Sequence, residues 1–223
     1  MVDKRTVNVV GQCIGCGECI RVCDAGAISA AASGTGTFGR DHVAIALVSP
    51  VLYAQFPGVM PKDILMGLRQ MGFRHTVDMS YFLEIFHYAT EEFINRNRES
   101  NKAPWPLISP VCPVVVRQIA FQFPSLMPHV LPVLRPVALM AREVKRRIIP
   151  YYQEQGDAVA LYYINPCPTK MDPNCSNPKQ QPDIPEVALG INDIFPELTR
   201  HVEHIKKSDA IPFDQTRFDF ETC

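Results

Sequence analysis

Cysteine is the residue type that most clearly invites chemistry in this chain. Of eight cysteines, four fall in one run, Cys13, Cys16, Cys19 and Cys23, while Cys112, Cys167, Cys175 and Cys223 stand alone. Three thiolates spaced two residues apart can wrap one face of a compact cluster, and the fourth completes a C-x2-C-x2-C-x3-C pattern. Gly15 and Gly17 let the backbone come close and turn its N–H groups toward sulfur. Ile14, Ile20 and Val22 offer an apolar wall around it. The run therefore predicts an iron–sulfur cube of the [4Fe–4S] type. Zinc is the rival ion, and it more often takes two separated cysteine pairs. Disulfides would need an oxidising compartment, and Met1-Val2-Asp3-Lys4-Arg5 carries no apolar export signal.

The run is similar to those of bacterial-type ferredoxins. In two-cluster ferredoxins the fourth cysteine serves the other cluster, with proline after it. Here Asp24 follows Cys23 and there is no second run, so which cluster Cys23 serves stays open. One or two clusters are compatible with the cysteines.

Composition sets the frame in which these thiols work. The chain has 223 residues, 47% hydrophobic and 20% charged, with a formal charge of −1. That is a globular composition, large enough for one domain with a small appendage. The near-zero charge argues against nucleic acid or an anionic membrane as the main partner. The longest apolar run, Val43 to Phe56, is broken at Pro50 and too short for a transmembrane segment. A cytoplasmic setting is the expectation.

Along the chain, residues 1–31 read as a ferredoxin-like segment and 32–42 as a linker, with Ser33 to Gly39 rich in glycine. Residues 43–223 read as one α/β domain in two lobes, about 43–150 and 157–223. Val43–Val48 and Ala158–Ile164 are apolar runs of the kind that form buried parallel strands. Arg74–Met79, Leu107-Ile108 and Val187–Ile191 are further strand candidates. Helical spacing covers Pro61–Gly72, Tyr81–Arg96, Val114–Phe121, Pro136–Ile149 and Ile194–Ile205. Strands alternating with helices predict an α/β fold with a mainly parallel sheet and flanking helices. The basic stretch Arg142 to Arg147 reads as a solvated helix face. Trp105, between Pro104 and Pro106, reads as a packing anchor. The six histidines show no metal-ligand spacing, and His201 and His204 read as a surface pair.

Three strand ends share a pattern: Val48 leads to Ser49-Pro50, Ile108 to Ser109-Pro110-Val111-Cys112-Pro113, and Ile164 to Asn165-Pro166-Cys167-Pro168. Ligands of parallel α/β sheets bind at the carboxyl ends of strands. A helix N-terminus also stabilises the thiolate, the form that binds metal. Cys112 and Cys167 are thus either cluster ligands or ordinary buried thiols, and the flanking prolines favour the former.

These stretches, Leu107 to Pro113 and Ile164 to Lys170, resemble the first two cluster-binding motifs of iron-only ([FeFe]) hydrogenases. Phe123-Pro124-Ser125-Leu126 through Leu139, Ala44 to Phe56 and Leu68 to Phe73 resemble stretches around them. The likeness covers roughly residues 10–205 and is nearest to the sensory, PAS-linked branch, in which a similar cysteine run precedes the catalytic-type domain. It implies that Cys112 and Cys167 ligate the cubane half of a hydrogenase-type cluster. It also implies that Lys170 hydrogen-bonds a cyanide on the two-iron half, unless it is a surface lysine. Cys175 and Cys223 would be candidates to complete the crevice cluster.

The departures bear on activity. Catalytic members have a proton-relaying cysteine where this chain has Val111, and an acidic relay residue where it has Pro173. The third motif, which bridges to the two-iron unit, has no counterpart beyond Cys223. Such relays contribute typically 10²–10⁴-fold. The chain is accordingly expected to be an electron-transfer or redox-sensing protein on a hydrogenase-derived scaffold, without autonomous hydrogen turnover or a two-iron unit. Its partner would be a redox protein or a larger oxidoreductase complex. The alternatives are a catalytic hydrogenase, whole or in part, and a structural or assembly subunit.

Overall fold

A computed structural model describes residues 13–28, 38–39, 41–98, 104–167, 185 and 187–207. In chain order the elements are α1 (Glu18–Arg21), β1 (Val43–Val48), α2 (Pro61–Gln70), β2 (His75–Asp78), α3 (Ser80–Arg98), α4 (Pro113–Gln122), α5 (Pro136–Arg147), α6 (Ile149–Gln153), β3 (Val159–Asn165), β4 (Val187–Gly190) and α7 (Ile191–Lys207). Lys170, Pro173, Cys175 and Cys223 lie outside the described residues.

The four strands form one sheet in the order β2-β1-β3-β4, and every pairing is parallel. The fold is therefore α/β with a mainly parallel sheet, as the alternation of runs predicts. β1 and β3 are central and covered on both faces, so residues of both parities must be apolar. On one face Ala44, Ala46, Val48 and Ile164 pack against Ile64 and Leu68 of α2 and Leu198 and Val202 of α7. On the other, Ile45, Leu47, Leu161 and Tyr163 meet Phe82 of α3, Met140 and Val144 of α5 and Tyr152 of α6. Successive strands add outward to β2 on one side of β1 and to β4 beyond β3. The direction of winding reverses between β1 and β3, and their carboxyl ends are where such a sheet opens a crevice.

Four features differ from the reading of the sequence. Leu107-Ile108 is not a strand: Ile108 makes a lone bridge with Val130, because Pro106 and Pro110 on one side and Pro128 and Pro132 on the other remove the donors a ladder needs. Trp105 anchors no core; it is 42% exposed and joined to Pro106 by a cis peptide. Two 3-10 helices, Pro50–Gln55 and Pro124–His129, begin with prolines that preset the first turn, and Pro128 inside the second stops it from lengthening.

The fourth is Phe38, near the end of the glycine-rich stretch. Its ring stacks on Phe73 at 4.5 Å and meets Tyr162 edge-on at 5.5 Å. Gly72 allows this approach: it adopts φ +111°, and a Cβ there would stand 2.3 Å from the Phe38 carbonyl oxygen.

Candidate functional site

The N-terminal cysteine run folds around left-handed glycines. Gly15 and Gly17 have φ of 71° and 77°, a region that costs a residue with a Cβ about 1–2 kcal/mol. Gly17 begins the single-turn α1, its carbonyl accepting from the amides of Ile20 and Arg21 at 3.0 and 3.2 Å. The Gly15 amide donates to Cys13 Sγ at 3.3 Å, an N–H···S bond of the sort that stabilises a thiolate. Cys13, Cys16 and Cys19 are exposed and Cys23 is half-buried. Of the expected apolar wall, Ile14 and Ile20 are half-buried, whereas Val22 is 58% exposed because it follows the last residue of α1 and turns outward. Among the described residues, no three or more His, Cys, Asp or Glu side chains are gathered to hold a metal ion.

This segment does not stand apart. The Arg117 guanidinium, on α4, donates to the Ile14 carbonyl at 3.3 Å. Cys112 caps the start of that same helix, and its carbonyl accepts from the Val116 amide at 3.3 Å. The Cys112 thiol is exposed and Pro113, the first helical residue, is buried.

The second thiol is built by the end of β3. Asn165 is 1% exposed, and its Oδ1 accepts from the Cys167 amide at 2.9 Å, the Asx turn that Asn favours where a chain must leave a strand. That turn fixes the backbone of Cys167, whose thiol is half-buried. The Ser49 amide, just beyond β1, donates to the Ile164 carbonyl at 3.2 Å, so the ends of β1 and β3 are tied where the sheet reverses. The side-chain Nδ2 of Asn165 is buried and has no hydrogen-bond partner.

Charge is concentrated at this edge. Burial pushes the Tyr163 phenol up, and the neighbouring Cys167 adds to the rise. A hydrogen bond with Ser49 and the charge of Arg135 act in the opposite sense. Arg135 itself is pulled below the usual guanidinium range, first by burial; Tyr163 counters this and Arg117 adds to it. Arg135 is thus within electrostatic reach of Tyr163 and Arg117, and Tyr163 of Cys167.

Reading the sequence singled out the two cysteines but not Arg117, Arg135, Tyr163 or Asn165. Two signals were available. Arg135 directly precedes the helix beginning at Pro136, where a cation opposes the helix dipole and so needs another reason to be there. Asn165 stands where a strand stops, two residues before a cysteine.

The sheet and its edge define a parallel α/β protein with a thiol held at the carboxyl end of a central strand, beside the reversal of winding. Residues 42–188 match the family described as iron only hydrogenase large subunit, C-terminal domain, and the chain belongs to that family. No curated protein matches it. Similar solved structures include a variant of the [FeFe]-hydrogenase HydA1 from Chlamydomonas reinhardtii, 19% identical, with a TM-score of 0.49 over 74% of this chain and 42% of that one. A HydA(deltaEFG) structure concerned with stepwise H-cluster assembly is 18% identical, with a TM-score of 0.48 over 74% of this chain and 42% of that one. The apo form of a HydA1 variant, also from Chlamydomonas reinhardtii, is 19% identical, with a TM-score of 0.43 over 74% of this chain and 43% of that one. The chain thus spans less than half the length of these hydrogenases. Among the described residues, no helix is long and apolar enough to cross a membrane.

The family implies iron–sulfur cofactors, and the residues present suit such a group. The first run offers thiols with an N–H already turned to sulfur. The strand end offers a half-buried thiol and a buried amide donor without an acceptor, with the half-buried Arg135 on the same side of the sheet. An anionic, sulfur-rich group would satisfy the donor.

Proposed function

We propose that the chain is an iron–sulfur electron-transfer or redox-sensing protein on a hydrogenase-derived scaffold, and that it does not turn over hydrogen by itself. Cys13, Cys16, Cys19 and Cys23 hold one [4Fe–4S] cluster. Cys112 and Cys167 hold a second, completed by Cys175, Cys223 or a residue of a partner. Bound there, the clusters supply one-electron redox chemistry.

The observation that carries this reading is the hydrogen bond from Arg117 to Ile14. It couples the cysteine run to the helix that starts at Cys112, which supports a shared role for these thiols. Arg135 and Arg117 offset the negative charge that thiolates and sulfides would bring to the strand edge. Tyr163, held protonated by burial, adds no anion of its own. Val111, beside Cys112, has an aliphatic side chain that moves no proton, which supports the absence of hydrogen turnover. Electrons then come from and go to a redox partner or a larger oxidoreductase complex.

Anaerobic purification with iron and sulfide counts, EPR and infrared spectra tests the reading. About eight irons per chain are expected, about four to each cube, with no cyanide or carbonyl bands. Cys16→Ser should remove one cube and Cys167→Ser the other. Carbonyl and cyanide bands together with hydrogen evolution would defeat it.

A further inference from the structure

The Asn165 side chain does more than its turn requires. Holding the Cys167 amide takes only Oδ1, which accepts at 2.9 Å, and a serine oxygen would serve that purpose, if more weakly. Asparagine adds Nδ2, and the structure leaves this donor buried with nothing to donate to. Asn165 is 1% exposed, and buried donors are rarely left without a partner for no reason. Side chains alternate along a strand. Asn165 therefore shares the face of Leu161 and Tyr163, the face packed against α5, on which Arg135 stands at the helix start. Donor and cation lie on the same side of the sheet, and Asn165 itself positions the backbone of Cys167.

We propose that Asn165 Nδ2 donates an N–H···S hydrogen bond to a sulfur of the iron–sulfur cluster held through Cys167, and so raises the reduction potential of that cluster relative to the one in the N-terminal run. The inference rests on the reading that a cluster binds at this edge. Its physical basis is general. The reduced cluster carries one more negative charge, a donor aimed at its sulfur stabilises that state, and hydrogen bonds to sulfur are among the terms that set such potentials. Asn165 is then a positioning residue in one respect, through the turn, and a tuning residue in another, through Nδ2.

The test is an EPR-monitored redox titration of the iron-loaded protein and two variants. Asn165→Ser keeps an oxygen for the turn and removes the donor without adding charge; Asn165→Asp keeps the turn acceptor but replaces the donor by a charge, so the serine variant decides. Both should retain their iron and show a lower crevice-cluster potential, with the potential of the N-terminal cluster unchanged. An unchanged crevice potential in an iron-replete Asn165→Ser protein overturns the inference. If neither variant keeps that cluster, pulsed EPR on the wild-type protein with isotope-labelled asparagine side-chain nitrogen decides. A nitrogen coupling to the reduced crevice cluster supports the hydrogen bond, and its absence overturns it. The underlying reading fails separately: Cys112→Ser and Cys167→Ser would then leave the iron count unaltered.

Discussion

Arg117 and Ile14 are 103 positions apart in sequence, yet the Arg117 guanidinium donates to the Ile14 carbonyl at 3.3 Å. The donor sits on α4, one turn or so past the Cys112 that caps it. The acceptor lies between the first two cysteines of the N-terminal run. A backbone carbonyl was used rather than a carboxylate, so the link anchors the chain path of the run and adds no negative charge beside its thiols.

Arg117→Ala should therefore loosen the run locally. A half-buried bond from a charged donor at this length is worth about 1 kcal/mol, which predicts roughly fivefold faster amide exchange across residues 13–23. The melting temperature of the sheet should hardly move, since no strand takes part. Exchange unchanged over that segment would show that the bond does not hold it.

Arg135→Met separates the cost of a half-buried cation from its use. Burial disfavours the guanidinium's charge, and apolar side chains of similar size often replace buried charges at little or no loss. The iron-free variant should melt no lower than the wild type by more than about 1 kcal/mol of stability. The iron-loaded variant should release iron to a chelator faster, from the Cys167 site only. Equal release rates in the two proteins would remove Arg135 from any role toward an anionic group.

The sheet was legible in the sequence because its central strands are buried on both faces. Val43–Val48 and Ala158–Ile164 read as unbroken apolar runs, close to the observed β1 and β3, and no helical stripe looks like that. The helices were legible for the opposite reason, the recurrence of apolar residues such as Ile64 and Leu68 on one side. What stayed hidden depends on long-range neighbours. Ile108 has strand-like composition, but its partner Val130 is fenced by prolines. Phe38 lies in a glycine-rich stretch, and only Phe73 and Tyr162, far along the chain, give it a surface to cover. At the site, cysteine spacing named the thiols, while the groups around Cys167 are contributed by separate elements and share no motif.

His75 predicts a pH dependence of stability. It is 7% exposed, and its Nε2 is in hydrogen-bond contact with Tyr152 Oη at 2.6 Å. Burial, together with the charges of Arg69 and Arg74, pushes it down from 6.5 to about 4. The folded state therefore holds His75 neutral where the unfolded chain already binds a proton. The associated stability is complete above pH 6.5 and falls as the pH drops toward about 4, by about 3 kcal/mol in all. His75→Gln can keep a hydrogen bond but cannot titrate. Urea unfolding should show the wild type losing stability relative to this variant across that window. Parallel curves would mean that His75 charges without penalty.

Gly72→Ala tests whether the docking of Phe38 depends on backbone contact. At φ +111° a Cβ would fall 2.3 Å from the Phe38 carbonyl oxygen, and no rotamer change can relieve a clash with main chain. Gly58 provides the comparison, with φ +72° and nothing within 4 Å of its Cβ position. Gly58→Ala should cost about 1 kcal/mol, the strain of the left-handed region alone. Gly72→Ala should cost about 3 kcal/mol, because the segment carrying Phe38 must also move. Denaturant midpoints measure both losses. Limited proteolysis near residues 38–39 should accelerate only in the Gly72 variant, as Phe38 leaves Phe73 and Tyr162. Equal costs for the two substitutions would assign the whole effect to φ and none to the contact.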